Sequence, residues 1–236
     1  MSQPLRPNRQ RAQWAMWAIA VVLVLETVSL LSGLMQYRMI QCFSEGSFVS
    51  DEELSYNDLR QQIVAICYLV AFFVSAIFFI MWFRRAYFNL HQKLTGLTYT
   101  EGWAAGCWFV PIVNLFWPYT IMKEIHRESY GLLVQKTSDS YPTHFSIIRL
   151  WWTLSIVTWL ATRVELSMSK DMDTIEGLLK GTAASIVISC IGIVHCIVTF
   201  VMIQKQSQLE SRLEEFYLRD DDANADMVSP EAEVLI

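Results

Sequence analysis

Three ionisable side chains lie inside long apolar runs: Glu26, Arg163 and His195. A charge at the centre of a membrane helix costs about 3 kcal/mol on insertion scales, so each is a candidate for proton coupling, ion pairing or hydrogen-bonded packing. Glu26 lies about twelve residues from the inner end of its run, and Arg163 about fourteen residues past Arg149; at ~1.5 Å per residue these depths are roughly 18 and 21 Å, within one helical turn. An interhelical Glu26–Arg163 ion pair that fixes helix register is therefore expected, with Glu165 competing for the guanidinium. Proton or ion coupling is the alternative. His195 sits between Cys190 and Cys196. A bis-histidine haem needs a second intramembrane histidine, which the runs lack, and a metal site needs more ligands at one depth. A hydrogen-bonded packing histidine is the expectation, with no metal and no cofactor.

A second set of polar residues, Arg85, Asn89 and Asn114, flanks the stretch EGWAAGCWFVPIVNLFWPYTIMKEIHRES (Glu101–Ser129). Its central part, residues 103–119, is uncharged but interrupted by Pro111 and Pro118. Proline removes a backbone donor and disfavours a continuous helix, and lipid cannot satisfy the groups left free. Asn89 and Asn114 are expected to satisfy them, and Arg85 to cap exposed carbonyls or to bind lipid phosphate. The five cysteines show no short metal-ligand spacing, and four lie in apolar segments where a free thiol packs as a small hydrophobe. Cys42 lies alone in a polar loop, and a Cys42–Cys67 pairing stays open. Glu45, Asp51, Glu52, Glu53 and Asp58 read as a solvated face rather than a cation site. No G-x-S-x-G, HExxH, P-loop or GxGxxG pattern occurs, which weighs against an enzyme and leaves no catalytic residue to nominate.

The elements that must position these groups are membrane helices. The 236 residues are 53% hydrophobic and 17% charged, against about 45–50% and about 25% for a soluble domain. A span needs about 20 apolar residues. Four are expected, at residues 14–35, 63–83, 147–168 and 182–203, the third with Arg163 snorkelling toward the interface. The run at 14–35 is too long for a signal-peptide core and lacks a cleavage site. Arg6, Arg9 and Arg11, with Arg84, Arg85, Lys93, Lys123, Arg127, Lys136 and Arg149, outnumber Arg38, Arg60, Arg163, Lys170 and Lys180 on the other side. The positive-inside rule then makes both termini and the central loop cytoplasmic, in the inner (plasma) membrane. Trp14, Trp17, Trp82, Trp151 and Trp152 fall near that inner face.

With both flanks cytoplasmic, residues 103–119 should dip in or lie at the interface as a re-entrant or interfacial segment. The second helix should run past the membrane to Gly96. Pro118 opens an amphipathic cytoplasmic helix at 119–134, expected along the inner leaflet or on the bundle; a calmodulin-like target is its formal alternative. Residues 1–13 form a basic N-terminus. Residues 204–219 continue as a polar helix with Leu209, Leu213, Phe216 and Tyr217 on one side, suited to self-association or docking. Residues 220–236 read as a disordered acidic tail, whose apolar end could be captured by a C-terminus-binding module. The last 33 residues hold nine acidic and three basic side chains, so the tail accounts for the net charge of −5, and no basic groove suits nucleic acid. Ser50 and Glu53 form the signature of a capping box.

WFRRAYFNL (Trp82–Leu90), then EGWAAGCWFVPIVNLFWPY (Glu101–Tyr119), then the charged KEIHRES (Lys123–Ser129), resembles the bacterial membrane-protein family known as domain of unknown function 4328. The matching positions are Arg85, Ala86, Asn89, Gly102, Trp103, Trp108, Phe109, Pro111, Asn114, Leu115, Pro118 and Tyr119. The resemblance covers roughly residues 60–205. It implies a multi-pass membrane fold and no established activity. The fold class expected is thus all-α integral membrane. The leading functional reading is a non-enzymatic protein that meets membrane lipids or a protein partner at the inner face, with a homo-oligomer through the bundle or residues 204–219 as one form. The alternative is a small oligomeric transporter or channel using Glu26, Arg163 and His195. A lipid-modifying enzyme centred on the broken segment is the third reading.

Overall fold

The computed structural model of the chain describes residues 5–137, 144–168 and 174–228. It is all-helical, with no strand among the described residues. The elements are α1 (Arg9–Ser44), α2 (Asp51–Lys93), α3 (Trp103–Gly106), a 3-10 turn (Val113–Leu115), α4 (Trp117–Thr137), α5 (Phe145–Met168) and α6 (Ile175–Val228). Four of them, α1, α2, α5 and α6, are long and apolar enough to cross a membrane. The chain is a multi-pass membrane protein.

The helices outrun their apolar cores. Propagation adds one hydrogen bond per residue fixed, so a helix nucleated in lipid continues until something stops it. Gly46 and Gly96, with φ of 86° and 87°, take the left-handed conformation that follows α1 and α2. The first connection therefore shrinks to residues 45–50, where a loop of about 36–62 was expected. Ser50 and Glu53 close their capping box, Ser50 Oγ accepting from the Glu53 N–H at 3.2 Å and Glu53 accepting from the Ser50 N–H at 3.1 Å. No glycine or proline falls between Gly192 and Pro230, and α6 runs on to Val228. It thus enters the stretch expected to be disordered; residues 229–236 lie outside those described. All five cysteines are free, so the open Cys42–Cys67 pairing is not formed.

The chain divides into two compact units. The span unit comprises Trp14–Phe78 and Ser146–Met202. At one end of its α1–α2 pair, the Arg60 guanidinium donates to Ser32 Oγ (3.0 Å), the Ser32 carbonyl (3.3 Å) and Asn57 Oδ1 (2.7 Å). Gln61 also donates to the Ser32 carbonyl at 3.2 Å and to Gln36 Oε1. Apolar side chains such as Val24, Val70, Phe73 and Val187 point outward, as lipid-facing positions require.

The terminal unit comprises Met1–Gln13, Phe79–Phe145 and Ile203–Ile236. Its core contains Trp82, Phe83, Tyr87, Leu90, Cys107, Ile121, Met122, Ile125 and Ile203. A second cluster joins Leu133 of α4 to Leu209 and Leu213 of α6. The apolar side of residues 204–219 is therefore turned into its own chain.

Candidate functional site

Every residue of the sequence motif falls in the terminal unit. The broken segment is a succession of tight turns. Phe109 N–H donates to the Gly106 carbonyl (3.1 Å), Asn114 N–H to Val110 (2.8 Å), Phe116 N–H to Val113 (3.1 Å) and Thr120 N–H to Phe116 (3.2 Å). These local bonds, not asparagine side chains, satisfy the backbone around Pro111 and Pro118. The Asn114 side chain is half-buried and makes no hydrogen bond among the described residues. Trp108 packs edge-on against Phe79 (5.5 Å) and Phe83 (5.8 Å) of α2, anchoring the segment. Trp103 packs edge-on against Trp117 at 4.7 Å, which also meets Tyr99 at 4.6 Å. Pro118 is buried in the first turn of α4, where its missing N–H costs nothing. Tyr119 is half-buried.

Between α2 and α4 lies a buried carboxylate that sequence reading missed. Glu124 accepts from the Tyr87 hydroxyl at 2.7 Å, from the Thr98 hydroxyl at 2.7 Å and from the Thr98 N–H at 3.0 Å. The Tyr87 oxygen in turn accepts from the Tyr99 N–H at 3.1 Å. Burial, then the bond to Glu124, holds the Tyr87 phenol above its ordinary value. His91 Nε2 lies 3.0 Å from the Tyr99 carbonyl. This network fixes the entry to the broken segment. Helix α4 was expected to be amphipathic, along the inner leaflet or on the bundle; Ile121, Met122, Ile125 and Leu133 are buried, and Glu124, His126 and Ser129 are buried with them. It is enclosed within the terminal unit, and Lys123 and Arg127 remain outside.

Asn89 serves the N-terminal arm rather than the broken segment. It donates to the Arg6 carbonyl at 2.9 Å and accepts from the Arg6 N–H at 3.1 Å, a two-point backbone clamp. Beside it, Asn8 donates to Glu210 Oε2 (2.8 Å) and to the Trp82 carbonyl (3.3 Å). Gln206 donates to Glu210 Oε1 at 3.3 Å and accepts from His126 Nδ1 at 3.0 Å. The His144 N–H donates to His126 Nε2 at 3.1 Å, which fixes the neutral Nδ1–H tautomer. Burial accordingly holds His126 below the ordinary imidazole value. Burial also pushes the Glu210 carboxyl up to about 7, with Glu214 adding repulsion. The buried Asn8 Oδ1 has no donor.

The clamp predicts that Asn89→Ala frees the arm. Two hydrogen bonds at about 1 kcal/mol each are lost. Limited proteolysis should then cut near Arg6 and Arg9 about tenfold faster or more, with cutting elsewhere unchanged; an unchanged rate near Arg6 would show the clamp idle.

Arg85 neither caps a carbonyl nor meets a carboxylate among the described residues. Its guanidinium lies 5.6 Å from the centre of the Phe88 ring, and that of Arg6 lies 4.6 Å from the same ring. Burial, then repulsion from Arg11, Arg6 and Arg84, holds Arg85 below the ordinary guanidinium value, with Glu101 offsetting. Arg84 pairs with Glu101 at 3.4 Å. Arg11 donates to the Met81 carbonyl at 3.3 Å.

In the span unit the expected Glu26–Arg163 pair is not made. Glu26 is 7% exposed and accepts from the Tyr68 hydroxyl at 2.8 Å. Ser189 supplies a second hydrogen bond, and Gly192 packs so closely that a Cβ there would lie 2.7 Å from the carboxyl carbon. Two hydroxyl donors thus replace the guanidinium. Arg163 is exposed and lies over Trp159 at 5.3 Å. Glu165 takes the Ser185 hydroxyl. His195 Nε2 lies 3.0 Å from Ser155 Oγ, the packing role expected of it.

A family model described as "Domain of unknown function (DUF4328)" matches residues 45–208. No curated protein and no solved structure matches.

Proposed function

The chain belongs to the family described as Domain of unknown function (DUF4328), and from that premise we propose that it is a non-enzymatic protein of the inner membrane, working through lipids or a protein partner at the cytoplasmic face. Both termini and the terminal unit lie on that side in this reading, as the arginine and lysine asymmetry favours. The polar motif residues support it, because Asn89, Glu124 and Tyr87 are engaged inside the chain as scaffold.

The observation that carries the reading is an apolar ridge on the broken segment. Phe109 and Ile112 are each 76% exposed and Phe116 is 65% exposed, although the module that bears them has a well-filled core. Exposed apolar groups so close together mark a surface that meets lipid or protein. The ridge enters the interfacial zone of the inner leaflet. An environment-sensitive fluorophore placed through Phe109→Cys, Ile112→Cys or Phe116→Cys should shift to the blue in vesicles and be quenched by lipid-borne nitroxides. The same probe at exposed Lys123→Cys should report water. Water-like emission at all three ridge positions would sink the lipid reading.

A second reading, an oligomeric carrier, is favoured by Glu26, a buried intramembrane carboxylate that takes hydroxyl donors. It requires a proton or cation flux into liposomes that Glu26→Gln abolishes.

A further inference from the structure

We propose that Arg6, Arg11, Arg84 and Arg85 form a site for the phosphate headgroup of an anionic phospholipid of the inner leaflet. The proposal rests on the membrane orientation argued above and names the lipid class that its inner-face reading leaves open.

Four guanidinium groups belonging to the arm, the start of α1 and the end of α2 lie close enough that three of them repel the fourth. Among the described residues, Arg84 alone has a carboxylate partner, at 3.4 Å. Arg6 and Arg85 approach one phenyl ring, that of Phe88. Stacking orients a planar guanidinium and leaves its N–H fork free for a phosphate. Arg6 belongs to a terminal arm that would ordinarily be mobile, yet Asn89 holds both its backbone N–H and its carbonyl. The clamp therefore holds a positive charge that has no carboxylate partner among the described residues beside Arg85, which it repels and with which it shares the Phe88 ring. Like charges gathered by dedicated hydrogen bonds, with part of the cluster desolvated, are destabilising unless an anion completes them. A phosphodiester accepts from several guanidinium forks at once, and Arg is the residue whose geometry matches it. The leaflet that positive-rich segments face carries the anionic lipids. Arg11 and Arg84 immediately flank the first and second apolar runs in sequence, the depth at which headgroups lie.

The test uses the full chain in mild detergent, titrated with short-chain phosphatidylglycerol, with phosphatidylcholine and with inorganic phosphate. Bound lipid is read by native mass spectrometry, and unfolding by thermal melting. Phosphatidylglycerol should be retained and should raise the melting temperature; phosphatidylcholine should do neither. The double variant Arg6→Gln/Arg85→Gln should weaken phosphatidylglycerol binding by about thirtyfold, at about fivefold per arginine. With no lipid present, the same variant should melt higher than the natural chain, because repulsion is relieved. A merely structural role for these arginines gives the opposite sign, so lower lipid-free melting overturns the proposal. Equal retention of both lipids also overturns it, as does a variant that binds phosphatidylglycerol normally. Saturation by inorganic phosphate at the same concentration as the lipid would make the site one for a free anion and overturn the lipid assignment. Arg163→Gln is the control for an arginine outside the cluster and should leave binding unchanged. If ridge probes insert but lipid selectivity is absent, the site fails and the inner-face reading stands; if selectivity holds while the probes stay wet, the reverse follows.

Discussion

Glu124→Ala is expected to destabilise the terminal unit by about 3 kcal/mol, from three donor bonds at about 1 kcal/mol each. Three donors converge on that carboxylate, from Tyr87 and Thr98. Alanine takes that acceptor from the Thr98 N–H and hydroxyl, while the Tyr87 hydroxyl keeps the Tyr99 carbonyl at 3.1 Å; Thr98 is exposed, so water takes up part of the loss, and each bond is worth about 1 kcal/mol. The Arg127 guanidinium, 3.9 Å away and largely exposed, contributes little by comparison. Glu124→Gln should cost less, about 2 kcal/mol, because the amide keeps one acceptor oxygen and turns an N–H toward the remaining donors. Lys123→Ala, one residue away and exposed, should change stability by less than about 0.5 kcal/mol. Cys107 offers a readout, being fully buried in the same unit. In a background with Cys42, Cys67, Cys190 and Cys196 replaced by alanine, the temperature at which a thiol-reactive dye labels Cys107 should fall for Glu124→Ala and stay put for Lys123→Ala. Equal midpoints for the two would show that the network is not what holds α4 in place.

Glu210→Gln should do the reverse and stabilise the chain, but only at high pH. The folded-state carboxyl, at about 7 against an ordinary value of 4.5, holds its proton more tightly than the unfolded chain does. Stability is therefore lost as pH rises from about 4.5 through about 7, and the whole cost is present above that. Glutamine cannot ionise and removes the cost. A gain of about 1–3 kcal/mol at pH 8, shrinking to near zero by pH 5, is expected in thermal melting. His126 works in the other direction, since its lowered value costs stability as pH falls below its ordinary 6.5. Comparing the variant with the natural chain at each pH cancels that term. A gain that stays the same from pH 5 to pH 8 would mean that packing, not ionisation, sets the effect.

The spans were legible because lipid imposes a length and a composition that a linear string displays directly. The capping box at Ser50 and Glu53 was legible for a similar reason, since its partners are three residues apart. The candidate site was legible only as far as its membership. Trp108, Pro111, Pro118 and Asn89 stood out by type and spacing, but Asn89 turned out to hold Arg6, 83 positions away. Nothing local to either residue records that partner. Glu124 was hidden by its neighbours. Lys123, Arg127 and Glu128 make α4 look like a helix with an open charged face, and the carboxylate is buried only because Tyr87 and Thr98 arrive from another part of the chain. The Glu26–Arg163 pairing failed for a related reason. Depth along the membrane says nothing of which side of its helix a residue occupies, and it is Tyr68 that meets Glu26.

The arm's two attachments also set an order of events during synthesis. Residues 6 and 8 are made well before their partners, which lie 83 and 202 positions later in the chain. At about 5–20 residues per second the second partner appears about 10–40 s after the first residues. Until Asn89 and its neighbours Arg84 and Arg85 are made, about 4–17 s after Arg6, the arginines of the arm have neither clamp nor companion cluster. Asn8 is drawn in only when residue 210 of α6 has been made, so its closure on Glu210 reports that all four candidate spans have been synthesised.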